Sequence, residues 1–496
     1  MGLDVSGSKR FAVEVCLRIL LKPQRWSKYP NLMIGNQPLN NRTILETARE
    51  IDVIHETDVL VVGSGPGGLP AALAAARAGV QVALVERFGC FGGNLTVVGV
   101  EGMHWYRHED TIESNGIARE FEDRAKEMGA AVPESQSLSY EIDSEGFKLV
   151  ADQMVLNEPN LTPMLHRQFV SPIMDGNTIV GIITESKAGR EAILAKRVID
   201  ATGDADVVKR AGAPTYLTPK EEMMAASVMF HVAGVDKTKF MEGIKSDPQT
   251  YKDWGGGGEW NIETTGKEDD MFSPFLKKPF EQAIKDGLIP AKLNTIAGTW
   301  GAVHDTGELT YMNLIHMDDC DGTDPNSLTK YEIEGRRQTM LAIEALRRYT
   351  PGCEGIRLRN FGMSIGIRDT RKVDCQYNMT SQDVREQGRF DDSIGIFPEF
   401  IDGYGILILP TTGRYFQIPY RNLLPKNVEN LLVAGRATGG DRDSHAATRN
   451  MACCAVTGQG AGVAAALSIK KQVNTLADLD VADVQKELER QGARHH

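Results

Sequence analysis

One six-residue stretch, Gly63-Ser64-Gly65-Pro66-Gly67-Gly68, constrains the fold more than any other part of the chain. It follows VLVV, a short β-branched run beginning after Asp58, and precedes PAALAAARAG, a run of good helix formers closed by Gly79. VQVALVE then supplies a second buried strand, so the segment is a β-α-β unit. The first glycine makes the tight turn, the second lets a pyrophosphate reach backbone N–H groups, and the third lets helix and strand pack closely. Glu86 ends the second strand, 23 residues after Gly63. A carboxylate there can accept from both hydroxyls of an adenosine ribose and argues against a 2′-phosphate. A bare GxGxxG is a glycine-rich turn; in this setting it specifies dinucleotide binding.

The remaining chain has room for this unit and much more. Its 496 residues allow about three ordinary domains or two large interleaved ones. With 41% apolar and 25% charged residues the composition is that of a globular protein, which excludes disordered, collagenous and coiled-coil readings. The 50 glycines fall in clusters, as where backbone approaches a ligand. A net charge of −12 offers no broad attraction for nucleic acid or an anionic membrane. Uninterrupted apolar runs such as YGILILP are too short to span a bilayer, and Glu14 and Arg18 break up the one signal-like segment. A cytoplasmic location is expected. The seven cysteines form no CxxC pair, which suggests neither a disulfide framework nor a metal site.

Along the chain, residues 1–50 read as an N-terminal extension. Segments 51–103, 161–213 and 425–478 have the buried-strand and glycine character of a nucleotide-binding domain. Residues 104–160 and 214–424, with the polar DWGGGGEWNIETTGKEDD and the helical YEIEGRRQTMLAIEALRRY, read as a mixed substrate domain, and 479–496 as a tail. GGGG at 255–258 precedes no strand-helix unit and is taken as a loop, as is HMDDCD at 316–321, which lacks metal-ligand spacing.

Two later segments bear on which dinucleotide is bound. RVIDATGDAD sets Ala201, Thr202, Gly203 and Asp204 just after a buried strand, and VENLLVAGRATGGDRDSHAATRNMACCAVTGQGAGVAAA brings a further strand to Gly435 before a helix expected from about Ala446. The positive end of that helix would suit a flavin pyrimidine edge. Together with GIRDTR at 366–371, these motifs resemble the FAD-dependent oxidoreductases of the glutathione-reductase-like superfamily over roughly residues 55–470. The resemblance implies an α/β fold with a Rossmann-like FAD-binding domain and an inserted mixed substrate domain. It further implies that Glu86 and Arg87 hold the adenosine end, with Phe169 or Val170 meeting the adenine. Gly92, Gly93 and Asn94 would line the diphosphate and flavin side and Gly435, Arg436 and Asp441 the ribityl phosphate, and Asn450 and Met451 would also contact the cofactor. The chain departs from the superfamily's disulfide reductases, which carry a C-x4-C pair where FGCFGGN has only Cys90. No second GxGxxG unit follows, so NADPH is not expected to reduce the flavin.

Catalytic candidates are the polar residues near the cofactor-returning segments. His445, just before the expected helix, has an imidazole suited to taking a proton, although N-capping would explain it equally. Arg442 and Arg449 could bind substrate or stabilise reduced flavin, or pair with Asp441 or Asp443. Arg368 in the GIRDTR segment and Tyr404 complete the set, and His104, Trp105 and Tyr106 could wall the pocket or pack a core. The expected reaction is oxidation of a small organic substrate, in which a base takes an O–H or N–H proton while the neighbouring C–H delivers hydride to flavin N5. Dioxygen, quinone or a carrier protein would reoxidise the flavin, and the enzyme would be a homo-oligomer. The rivals are reduction of an activated C=C bond, a non-redox hydratase or lyase, and a redox-inert interaction subunit.

Overall fold

The computed structural model describes residues 43–108, 112–134, 137–251, 253, 261–263, 271–411 and 413–496. Most of the N-terminal extension and the GGGG segment lie outside them. The chain is a mixed α/β protein built on a central, mostly parallel seven-stranded sheet.

Strand β1 (Val53–Val62) starts earlier than VLVV indicates and runs into the glycine turn, helix α1 (Gly68–Arg77) and strand β2 (Val82–Val85). Helices α2 (Ile117–Glu127) and α3 (Ser144–Leu156) precede strand β3 (Leu161–Met164), which pairs parallel with β2. Strands β4 (Gln168–Asp175), β5 (Thr178–Ser186) and β6 (Gly189–Asp200) follow as antiparallel neighbours. The 12-residue β6 has a divided edge: residues 189–194 pair with β5, while Val198–Asp200 pair in parallel with a late strand at 431–433. Its other edge runs parallel with β1. Side chains alternate between two covered faces. Val59, Val61 and Leu84 point into the helical layer and Leu60, Val62 and Val85 into the opposite one. Burial on both faces accounts for the unbroken apolar runs in β1 and β2.

A second, five-stranded sheet carries the chamber opposite the nucleotide loops. Strand β7 (Ala226–Ala233) lies between β8 (Glu308–Met317) and β9 (Arg357–Phe361), antiparallel to both, and short strands at Phe275–Leu276 and Gly298–Thr299 extend the β8 side. His316 therefore ends a strand rather than sitting in a loop. Helix α4 (Pro325–Tyr349) packs on this sheet; proline at its first position needs no intrahelical donor, and Asp324 caps it through Asn326 N.

The chain then returns to the first sheet as β10 (Leu431–Val433). The helix expected from Ala446 is two helices, α5 (Arg442–Thr448) and α6 (Met451–Lys470), because Asn450 takes a non-helical conformation (φ −59°, ψ 142°) between them. α6 lies directly against α1. A Cβ on Gly458 would come within 2.0 Å of Gly67 O and one on Gly462 within 2.1 Å of Ala71 O, so only glycine allows the two backbones to meet. By length and composition α6 could cross a membrane, a property that a search for uninterrupted apolar runs misses; 94% of its apolar window is buried in this core. The tail is structured too: α7 (Val481–Arg490) buries Val484 and Leu488.

Candidate active site

The C-terminal ends of β1, β2, β6 and β10 point the same way, so the loops that follow them converge, as ligand-binding loops do in open parallel sheets. One long cavity runs across them. Its nucleotide half is lined by Gly63, Gly65, Gly67, Glu86, Arg87, Gly93, Asn94, Phe169, Ala201, Thr202, Gly203, Asp204, Gly435, Arg436, Asn450 and Met451. Gly63 turns at φ +96°, and a Cβ on Gly68 would sit 1.8 Å from Gly63 O, which is the close strand-helix approach the motif requires. Gly65 faces space instead: the nearest atom to a Cβ there is Gly93 Cα at 3.9 Å. Glu86 accepts from Ser64 N at 2.9 Å, Ser64 Oγ at 2.7 Å and Phe88 N at 3.0 Å, which fixes its carboxylate at the strand end. Asp200, buried at the end of β6, accepts from Thr202 N (3.0 Å), Thr202 Oγ1 (2.7 Å) and Val208 N (2.9 Å), shaping the Ala201–Asp204 turn. Arg436 ties this turn to the β10 loop through Asp204 (2.7 Å) and Thr370 (2.8 Å). The N-terminus of α6 is presented by Asn450 and Met451. A dinucleotide with a flavin fits these residues: a glycine opening for diphosphate, a fixed carboxylate at the ribose end and a helix N-terminus at the ring end.

Four expected cofactor contacts lie behind this lining. Gly68 packs on Gly63; Gly92 is turned against Thr96 and donates to Ser64 O at 2.9 Å; the Val170 carbonyl accepts from Arg210; and Asp441 caps α5, accepting from Ser444 N at 3.0 Å. Sequence reading passed over Arg167, Gln168 and Cys454, which do line the cavity. No motif marks them.

Beyond the nucleotide half the cavity opens into a chamber bounded by His104, Tyr311, Asn313, Arg368, Phe400, Asp402 and Arg449. Arg449 pairs with Asp402, Nη2 to Oδ2 at 3.2 Å. Arg368 is held by Ala225 O (2.7 Å), Ser227 Oγ (2.6 Å) and Asn313 Oδ1 (3.1 Å). Burial, with Arg449 nearby, pulls its guanidinium down to about 10. His104 stacks on Tyr311 at 5.8 Å, and its Nδ1 meets Glu134 at 2.7 Å with Glu141 at 3.8 Å. Burial works to lower the imidazole, but the two carboxylates outweigh it and push His104 up to about 9. Burial likewise pushes Glu141 up to about 8, and its Oε2 is sealed without a hydrogen-bond partner. The three groups could surround a cation, but 2.7 Å is a hydrogen bond, shorter than the roughly 3.3 Å between ligands of one tetrahedral ion. We read them as a proton-sharing cluster. Trp105 (φ +62°) and Tyr311 (φ +49°) are bulky residues in left-handed backbone, and both adjoin His104 in sequence or in space. Such strain gathers at functional sites.

The catalytic candidates from sequence divide. Arg368 and Arg449 face the chamber. Arg442 does not: it is exposed, paired with Glu222 at 3.3 Å and laid over Tyr404. Tyr404 donates to Asp369 at 2.5 Å outside the cavity lining. His445 is 1% exposed, and burial together with Lys372 pulls it down to about 3. Its Nε2 lies 3.1 Å from the Arg368 carbonyl, so a neutral His445 supports the backbone carrying Arg368 rather than meeting substrate. Of the aromatic trio, His104 reaches the chamber while Trp105 and Tyr106 are buried.

Comparison with known proteins agrees with the cofactor geometry. Thiamine thiazole synthase of Saccharolobus islandicus is 30% identical over 176 residues, 33% of this chain and 62% of that protein. The tRNA uridine 5-carboxymethylaminomethyl modification enzyme MnmG of a Nitratiruptor species is 30% identical over 159 residues, 29% of this chain and 24% of that enzyme. The chain thus matches less than two thirds of the length of either relative. Among solved structures, a geranylgeranyl bacteriochlorophyll reductase-like protein from Thermoplasma acidophilum aligns over 89% of this chain and 85% of its own, with 13% identity and a TM-score of 0.45. The family model for FAD dependent oxidoreductases matches residues 58–488, nearly the whole of the described fold. With FAD as its cofactor, the chain belongs to the FAD-dependent oxidoreductase family.

Proposed function

We propose that this enzyme oxidises a small organic substrate bound in the chamber, with His104 taking the substrate's O–H or N–H proton. The carrying observation is the single cavity that joins the nucleotide loops to a chamber with His104 and Arg368 on its walls. Bound FAD supplies a two-electron acceptor; dioxygen, a quinone or a carrier protein would take the electrons on. The protein's own part is positional and electrostatic. Glu134 orients the His104 ring, Tyr311 stacks on it, and Arg449 with Asp402 closes the chamber on another side. His104 replaces His445 as the base because a residue sealed from the cavity cannot reach a substrate proton.

The oxidative direction is supported by the second sheet. Among the described residues it is antiparallel around β7, without the parallel β-α-β unit of a nicotinamide site. This supports a reading in which the electrons come from the substrate. The reverse direction, reduction of an activated C=C bond, is favoured by one observation: carboxylates hold His104 protonated at neutral pH, ready to donate. An anaerobic screen of small metabolites for flavin bleaching, with NADH and NADPH as controls, tests the reading. Bleaching by a C–H donor with no fast bleaching by either nicotinamide is the expected result. Saturable NADPH reduction followed by turnover of an alkene would reverse the direction.

A further inference from the structure

The five arginines that line the cavity are not equivalent. Arg87 is exposed at the nucleotide end, and Arg167 pairs with Glu191. Arg436 is paired with Asp204 and Arg449 with Asp402, whereas Arg368 has no carboxylate within ion-pair distance among the described residues. Its partners are a carbonyl, a hydroxyl and an amide, all neutral. They orient the guanidinium without balancing its charge. Leaving a partly buried cation uncompensated is costly unless something else supplies the anion.

Donor counting shows where that anion would sit. Arginine has five N–H groups. Ala225 O and Ser227 Oγ take both on Nη1 and Asn313 takes one on Nη2, which leaves Nε–H and the second Nη2–H. Nε–H lies on the side edge of the planar group, from which a guanidinium can meet a carboxylate. The mounting is rigid. Gly366, two residues away, bridges to Ser227 of β7 with hydrogen bonds of 3.0 and 2.8 Å, and His445 supports the Arg368 carbonyl.

We infer that the substrate is a small organic acid, its carboxylate held by the N–H groups of Arg368 that the protein leaves unused. This rests on the proposed oxidation at the same chamber and narrows its substrate class. The remainder of the acid would extend from Arg368 toward His104 and the nucleotide half, which share its cavity.

The test uses the FAD-loaded enzyme and flavin difference spectra at constant ionic strength, with acetate, propionate and succinate as probes and the corresponding amides as neutral controls. At least one acid should give a saturable perturbation and its amide none. Arg368→Gln should weaken that binding roughly 10- to 150-fold, the range for hydrogen bonds to a charged group, with FAD content unchanged. Arg368→Lys should recover part of it. Should Arg368→Gln lose FAD, Asn313→Asp serves instead: it brings a carboxylate to Nη2, currently 3.1 Å from the amide oxygen, and should abolish acid binding while the arginine stays. Perturbation by acids and amides alike, none by any acid, or equal acid binding in wild type and Asn313→Asp would overturn the inference. The two readings fail separately. Acids that bind through Arg368 without any substrate reducing the flavin would sink the oxidation and keep the carboxylate site. Flavin reduction by an uncharged alcohol or amine, at the same rate in Arg368→Gln, would do the reverse.

Discussion

The two halves of the cavity are built by different rules. The nucleotide half is made from backbone: glycine loops at strand ends, a helix N-terminus and two helices brought together by Gly458 and Gly462. Its residues are nearly contiguous in short motifs, because one turn must supply several N–H groups at once. The chamber is made from side chains. His104 follows the first flavin-side loop, Tyr311 and Asn313 lie on β8, Arg368 is on a loop pinned to β7, and Arg449 stands between α5 and α6. Only the folded chain brings these separate segments together around one cavity. A motif can therefore announce what cofactor is held long before anything announces what is done with it.

The sharpest way to break this contrast is at Gly65. A side chain there projects into the nucleotide cavity instead of into protein, so Gly65→Leu should fold but lose FAD, giving a colourless preparation by absorbance. A yellow, stoichiometric Gly65→Leu would show that the diphosphate does not lie against this loop. Next in size is Gly462→Leu, which forces a side chain onto the Ala71 carbonyl at the α1–α6 contact. Its cost should be about 3 kcal/mol, the upper range for overpacking, read as a lowered urea midpoint. An unchanged midpoint would mean the two helices can move apart.

Legibility followed the same division. The β-α-β unit, the three cofactor-facing segments and the long helix α4 could all be read from local pattern, because each needs only its own residues. The break before α6 was not legible, since Asn450 is an ordinary residue until the loop conformation is seen. His445 misled for a physical reason. Proximity in sequence to a cofactor-facing helix says nothing about which side of a short helix faces the cavity, and on α5 the imidazole faces inward toward Asp369 at 3.9 Å. His104 had only its place after the flavin-side loop to recommend it. Its partners Glu134 and Glu141 are 30 and 37 residues away, on segments that form no motif with it.

A smaller effect sharpens the role of His445. Its folded pKa, about 3, lies below the ~6.5 of an unfolded imidazole. The unfolded chain then binds more protons below about pH 6.5, so this residue's contribution to stability is complete above that value and is lost as pH falls toward about 3. His445→Gln removes that loss. Its urea midpoint should fall less than the wild type's between pH 7.5 and pH 5, with flavin reduction per bound FAD within a few-fold of normal. Equal acid sensitivity in both proteins would show that His445 is not held neutral.

The central claim, that proton transfer belongs to His104 in the side-chain half of the cavity, is tested most directly by anaerobic single-turnover flavin reduction as a function of pH. A base must be unprotonated, and His104 is held up to about 9. Wild-type reduction should therefore rise by about tenfold per pH unit from neutrality and level off near pH 9. His104→Gln, with FAD retained, should be slower by ~100- to 10,000-fold and lose that slope. A His104→Gln enzyme that reduces at the wild-type rate with the wild-type pH profile would contradict the account.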